Sequence, residues 1–403
     1  MSLFAAAVGV ALLGIVALLA RPLSGWLFGA TPAPSAWVVL VAADVAVGTL
    51  AFVPLSLLRI EDRPGVFSAF SAGRHTVNIL LKVGLVWAGW GVAGILWSDL
   101  AATTAFSLAL LPILFRRARP AFSFPILAEV LRFGVPKVPH GLLIQVQNLA
   151  DRKILDLFVT RGEVGLYQMG YNFGQGVKFA SSAFEPAWGP FLYAQLRMPE
   201  ARTTIARVAT HVFAVFVGVT LAVAVLGGDL LVLMTPKNPA FRAAAPVVPV
   251  VALAYLFHGV FLLTSVGIGI EKRARYYPVV TAAAATANIA ANFALIPTLG
   301  MMGSAWATVL SYAVMAGLGF TISRRLFPIP FEGRRWLHAA AAAAALYALS
   351  RLAPAPFALR WAFELALVAA YPALLLATGY LSAAERLGLR RAWRPGPRPE
   401  REL

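Results

Sequence analysis

Gln145, Asn148, Arg152 and Asp156 follow one another at spacings of three, four and four, with Asp151 and Lys153 beside them. On an α-helix that spacing makes one polar stripe. The opposite stripe, Leu143, Val146, Ala150, Ile154 and Leu157, is wholly apolar. A second polar run, Gln168, Asn172, Gln175, Lys178, Ser182 and Glu185, also steps by three or four. Two neighbouring helices are therefore expected to present polar faces. Arg152 and Lys178 supply cations, Arg152 with a guanidinium able to grip an anion through two hydrogen bonds. Gln145, Asn148, Gln168, Asn172 and Gln175 supply neutral amides. Asp151 and Glu185 supply carboxylates that can hold a proton or a cation. The competing reading is that Asp151/Arg152 or Lys178/Glu185 are ion pairs that only fix helix packing.

Outside these runs the chemistry thins out. Asp44 is the one acidic residue expected deep in the first four apolar spans, either as a proton site or as a hydrogen-bonded structural acid. Lys82 is expected to snorkel toward the membrane surface. His140, His211 and His258 are dispersed without metal-ligand spacing and read as polar packing residues. There is no cysteine, and no Asp-x-Asp, Walker loop or His-Glu-x-x-His motif, so thiol, ATP-driven and zinc-protease chemistry find no support. No cofactor is expected. A proton or a sodium ion as coupling ion is left open.

The elements that must carry these residues follow from composition. Of 403 residues, 60% are hydrophobic and 13% charged, more apolar material than a soluble core absorbs. Spans of ~20 residues account for it. Apolar stretches fall at 3–20, 36–58, 75–96, 98–115, 138–159, 165–192, 205–226, 244–268, 278–297, 302–322, 336–352 and 357–381. The fold class is thus an all-α integral membrane protein with about 12 transmembrane helices. Connections after even-numbered spans and the span ends beside them, with the C-terminal tail, hold 24 Lys and Arg; those after odd-numbered spans, counted the same way, hold six, namely Arg21, Arg161, Lys237, Arg242, Arg351 and Arg360. The positive-inside rule then puts both termini in the cytoplasm, and the net charge of +17 reports topology rather than nucleic-acid binding.

The chain also repeats itself at an offset of about 210 residues. Ile60-Glu61-Asp62-Arg63 pairs with Ile270-Glu271-Lys272-Arg273, Asn78-Ile79 and Leu85 with Asn288-Ile289 and Leu295, and Gly91-x-x-Gly94 with Gly300-x-x-Gly303. Spans 2–4 correspond to spans 8–10, so the unit is six helices, an even number that keeps both copies in one orientation. Two lobes around a cavity are expected: a four-helix N-terminal lobe at 1–120, a six-helix lobe at 121–330, and an extra helix pair with a basic tail at 331–403. Spans 5 and 6 precede spans 7–10, and their counterparts in the first repeat would lie upstream of Met1. The first lobe is therefore expected to lack its first two helices.

Several of these residues carry a resemblance. Asp151-Arg152-Lys153-Ile154-Leu155, Glu163-Val164-Gly165-Leu166-Tyr167 with Tyr171, and Phe184-Glu185-Pro186-Ala187-Trp188-Gly189-Pro190-Phe191 resemble the seventh and eighth helices of bacterial polysaccharide transporters. Asn288 through Gly303, with Asn292, Leu295-Ile296-Pro297 and Gly300, resembles that family's eleventh and twelfth helices. The family is the O-antigen and capsule flippase branch of the multidrug/oligosaccharidyl-lipid/polysaccharide exporter superfamily. The resemblance implies translocation of an undecaprenyl-diphosphate-linked oligosaccharide across the bacterial inner membrane by alternating access. Under that implication Arg152 and Lys178 would meet the diphosphate, and Gln145, Asn148, Gln168, Asn172 and Gln175 the sugars, with Asp151, Glu185 and Asp44 as ion-coupling candidates. The expected partners are the lipid-linked substrate and membrane lipids, with glycan polymerase and glycosyltransferases as further candidates. A multidrug exporter of the same superfamily is the closer alternative, opposed by the cations at Arg152, Lys153 and Lys178. A membrane glycosyltransferase or polymerase is the enzymatic one, opposed by the lack of acidic extramembrane loops.

Overall fold

The computed structural model describes residues 2–28, 34–60, 64–117, 123–135, 138–236, 239–354, 356–382 and 385. Among them the chain forms sixteen α-helices and no strand. In a bilayer only internally satisfied backbones can cross, so a chain this apolar has few other choices. The helices group into two compact units, residues 1–132 and 133–403.

The first unit holds α1 (Ser2–Leu18), α2 (Ala20–Phe28), α3 (Ser35–Ile60), α4 (Pro64–Trp87) and α5 (Gly91–Arg117), and α6 (Phe124–Gly134) runs across the division. The second holds α7 (Val138–Phe158), α8 (Arg161–Gly174), α9 (Val177–Gln195), α10 (Ala201–Met234), α11 (Val247–Thr264), α12 (Val266–Ile270), α13 (Tyr276–Leu299), α14 (Met301–Leu326), α15 (Gly333–Ser350) and α16 (Phe357–Ala377). Seven of these segments are long and apolar enough to cross a membrane unaided, α11 and α12 counting as one, and α1 with α2, bent by 70°, makes an eighth. The protein is a multi-pass membrane protein. Each of the twelve expected spans has a helix, and those at α4, α7, α8–α9 and α15 are the four outside these eight.

Boundaries moved where glycine and charge misled the hydropathy. The expected span 75–96 is α4, which starts at Pro64 and stops before Gly89 and Gly91, both at positive φ. Arg74, which falls in the connection between the expected spans 36–58 and 75–96, therefore lies inside a helix. The expected span 165–192 is two helices, interrupted at Gln175-Gly176. Pro186 and Pro190 lie inside α9, which continues through both, and the interruption lies a few turns earlier.

The internal repeat reappears as a repeat of packing. In the first unit α1 packs on α3, α3 on α5 and α4 on α5; in the second α10 packs on α11, α11 on α14 and α13 on α14. The paired glycines explain why. Gly91 and Gly300 sit at φ 49° and 55°, the left-handed region that opens each tight turn between the paired helices. Three residues on, a Cβ at Gly94 would lie 2.9 Å from Leu85 Cβ, and one at Gly303 would lie 2.5 Å from the Leu295 carbonyl carbon. Leu85 and Leu295 are themselves partners in the repeat. The motif is thus a turn plus a point of backbone contact, used twice. The first match, at residues 61–63, lies outside the described residues.

The pair α15 and α16 packs on α10. Trp336 stacks on Phe213 with ring centres 4.3 Å apart, and its Nε1 donates to Thr210 Oγ1 at 3.1 Å. Beyond α16, Glu385 accepts from Arg335 at 3.0 Å and from the Ser382 backbone at 2.7 Å, and lies 3.0 Å from His211 Nε2. Burial alone would raise the Glu385 carboxyl, but the hydrogen bonds from Ser382, Arg335 and His211 outweigh it and hold the group down at about 2. A carboxyl depressed in the folded state contributes stability that is present above its unfolded value near 4.5 and lost as pH falls toward 2. Glu385→Gln should therefore lower Tm at pH 7, and the gap to the parent protein should close between pH 5 and pH 2; an equal gap at both ends would remove the charge from the account. His211, read as a packing residue, is part of this latch.

Candidate functional site

The second unit builds its polar centre from α7, α8, α13 and α14. On α7, Asp151 is 2% exposed and lies on the same face as buried Ile154 and Leu155, the face that packs on α13. Its Oδ1 accepts from Asn292 Nδ2 at 2.8 Å and its Oδ2 from the Thr308 hydroxyl at 3.2 Å. Asn288 and Asn292 are one turn apart on α13, and Ser304 and Thr308 one turn apart on α14, so two helix faces close over the carboxylate. Among the described residues, four atoms around it are buried and make no hydrogen bond of good geometry: Asn288 Nδ2, Asn292 Oδ1, Ser304 Oγ and Tyr167 OH. Buried polar atoms are rarely left so, and a cluster of them beside one carboxylate has the donor set of a site for a small cation or a proton.

Arg152, one residue on, is turned about 100° away. Its Nε donates to Gln168 Oε1 on α8, and its guanidinium carbon lies 5.0 Å from the centre of the Tyr171 ring. The amides continue the chain: Gln168 Nε2 donates to Asn172 Oδ1 at 2.7 Å, and Gln175 Nε2 donates to the same oxygen at 3.2 Å. Behind them the Tyr171 and Tyr255 hydroxyls are 3.1 Å apart, and Tyr255, Tyr312 and His258 follow one another as tilted rings with centres 5.6 and 5.3 Å apart. The result is a cation and a ladder of amides on a polar face, backed by an aromatic wall.

Local sequence explains why α8 holds that face in place. Thr160 and Glu163 form a reciprocal capping box that starts the helix. Gly170 and Gly174 let it lie against α11 and the short 3-10 helix Pro239–Ala244: a Cβ at Gly170 would be 2.5 Å from the Ala244 carbonyl oxygen, and one at Gly174 2.6 Å from Val251 Cβ. Small residues four apart permit this approach in membranes.

The expected site residues are thus only partly gathered. Arg152, Gln168, Asn172 and Gln175 join in one hydrogen-bonded chain. Lys178 follows the interruption and is exposed on α9, as is Glu185, and the two do not pair among the described residues. Gln145 is exposed on α7, and the Asn148 side chain lies outside the described residues. Asp151 does not stand on the stripe of Arg152 but on the buried face beside it. Asp44 belongs to the first unit, where its Oδ1 is buried without a hydrogen-bond partner.

That unit holds polar groups the sequence reading missed. Lys82 does not snorkel: its Nζ lies 2.8 Å from Asp99 Oδ1, and Asn78 Nδ2 donates to the same oxygen at 2.8 Å. Arg74 donates to Thr103 at 3.1 Å. Asp44 is therefore not the only acid deep in these helices. The repeat register was the available signal, because Asn78 and Lys82 occupy the positions of Asn288 and Asn292. Each unit sets a carboxylate against that pair, Asp99 from α5 in the first and Asp151 from α7 in the second.

Residues 2–184 match the family model described as polysaccharide biosynthesis protein. The fold is similar to that of the lipid II flippase MurJ in its inward closed conformation, with a TM-score of 0.69 at 11% identity, covering 94% of this chain and 84% of that one. It is also similar to an outward-facing multidrug resistance MATE family transporter of the MOP superfamily, at 0.61 and 15% identity over 82% of this chain and 78% of that one. A MOP superfamily transporter from Pyrococcus furiosus, whose binding pocket is described as reversed in polarity, matches at 0.60 and 15% identity over 80% and 76%. No curated protein sequence matches the chain.

Proposed function

We propose, from the premise that this chain has the transporter fold of the MOP superfamily and a polysaccharide-biosynthesis sequence over residues 2–184, that it is a flippase for an undecaprenyl-diphosphate-linked oligosaccharide. The glycan would serve O-antigen, capsule or exopolysaccharide synthesis at the bacterial inner membrane. The observation that carries the reading is the ladder Arg152–Gln168–Asn172–Gln175 with Lys178 exposed close after it. Cations meet the diphosphate, and amides exchange hydrogen bonds with sugar hydroxyls at little desolvation cost. An exporter of organic cations would place carboxylates where this ladder places a guanidinium and an ammonium.

Arg152→Gln and Lys178→Gln should each reduce glycan export in a flippase-deficient strain at near-normal protein levels. Normal export by both variants overturns the assignment.

The asymmetry of 24 against six basic residues supports cytoplasmic termini. Since the chain has no cysteine, single probes report without background. Glu200 and Gly162 are both exposed, on even and odd connections respectively. Glu200→Cys should be shielded from an impermeant thiol reagent in intact cells and Gly162→Cys labelled, the reverse pattern inverting the topology.

Asp151 is the proposed coupling-ion site. Asp151, Asn292, Ser304, Thr308 and Tyr167 would hold a sodium ion through oxygen donors, the ion supplying the charge that a proton on Asp151 would otherwise supply.

A further inference from the structure

Four helix ends meet at one membrane face of the second unit: the last third of α10, the start of α11, the end of α15 and the start of α16. Between them lies a groove of about 430 Å³ whose lining includes Asp229, Arg242, Tyr347, Arg351, Phe357 and Arg360. That volume is in the range of small-molecule sites, about 300–1,000 Å³. Helix ends mark the level of the head groups, and Tyr347 and Phe357 suit that belt.

The arginines there have different duties. Arg360 Nε lies 2.8 Å from Asp229 Oδ2 and 3.1 Å from Glu364 Oε1, so its charge is committed to two largely buried carboxylates and it forms the floor. Arg242 and Arg351 are exposed, and their side chains form no ion pair or hydrogen bond among the described residues. Topology does not account for them. This is the face of the odd-numbered connections, which carry six basic residues in all, and three of the six converge on this one groove. Arginines that merely snorkel would be spread around the rim.

We propose that the Arg242–Arg351–Arg360 groove is a phosphate-binding site, separate from the α7–α9 ladder, in which Arg242 and Arg351 grip a phosphodiester or phosphate while Arg360 fixes the floor. Two guanidiniums lining one cleft supply the forked donors that phosphate oxygens accept. The phosphate can come from a lipid head group or from solution.

The full chain, purified in dodecyl maltoside, separates these sources. Binding of phosphatidylglycerol and of inorganic phosphate would be followed by native mass spectrometry and by the rise in Tm. The double variant Arg242→Gln/Arg351→Gln should bind the effective probe roughly tenfold more weakly or worse, since a lost charge-assisted contact corresponds to about a decade in affinity. Arg324→Gln/Arg325→Gln, exposed at the opposite end of the bundle, should bind as the parent does. A response to phosphatidylglycerol alone identifies a lipid source, and a response to inorganic phosphate a soluble one; either supports the site. Equal binding by the parent and the groove variant, equal loss in both double variants, or binding of neither probe overturns it. If the double variant does not fold, Arg351→Gln alone, at an exposed helix end, must weaken binding in the same direction. None of these readouts depends on glycan export, so the site stands or falls independently of the proposed substrate.

Discussion

Asp151→Asn should abolish or severely reduce export while leaving a folded protein. The amide keeps the size of the side chain and can still accept from Thr308 or Asn292, so the packing of α7 on α13 survives. What disappears is the one negative charge among five buried oxygen donors. If this charge binds the ion whose gradient drives transport, its removal takes away the coupling free energy, typically about 1–3 kcal/mol or 5–150-fold in rate or affinity. The measurement has two halves. Export is scored in a flippase-deficient strain, and Tm of the purified protein is scored in sodium against potassium at matched ionic strength. Sodium should raise Tm of the parent protein and not of the variant. A sodium response that survives Asp151→Asn places the ion elsewhere, and full export by the variant removes Asp151 from the mechanism. Asp151→Leu should be worse in a different way: it takes the carboxylate acceptor from Asn292 and Thr308, leaving them only their acceptors one turn back at Asn288 and Ser304, and it puts an apolar side chain among buried polar groups, so protein levels should fall.

Gly174→Leu should cost the second unit about 3 kcal/mol, the upper end of what overpacking costs a close-packed interface. A first side-chain carbon at that position already meets Val251 Cβ at 2.6 Å and the Val248 carbonyl oxygen at 2.8 Å, and neither can retreat without moving α11. Because α8 carries Gln168 and Tyr171, pushing it away would also part Arg152 from both, so export should fall with stability. Gly165 is the control on the same helix. Nothing lies within 4 Å of a Cβ there, and Gly165→Leu should be neutral or slightly stabilising, by about 0.5–1 kcal/mol from the helix preference over glycine. Thermal unfolding of the two variants in detergent separates the outcomes, and similar Tm values would mean that α8 does not seat on α11 as described.

The sequence by itself determined the class of the protein, its helices and its repeat, because those depend on local quantities. Apolar length selects membrane helices regardless of what they touch, and the glycine pairs at 91/94 and 300/303 mark turns whose backbone angles are a property of a few residues. The polar ladder was legible for the same reason: Gln168 and Asn172 are one turn apart on any helix, and Arg152 lies on the stripe that spacing alone assigns. What the tertiary structure decided was which of two adjacent residues is buried. Asp151 and Arg152 differ by a rotation of about 100°, and only the seating of α7 on α13 sends the carboxylate to Asn292 and Thr308 and the guanidinium to Gln168. Asp99 was overlooked because hydropathy placed it at a helix end, whereas the turn at Gly91 sets it well inside α5, where Lys82 finds it. The convergence of Arg242 with Arg351 and Arg360, more than a hundred residues further along the chain, was invisible for the most general reason: contacts between distant segments depend on how helices pack, and no periodicity along the chain records that.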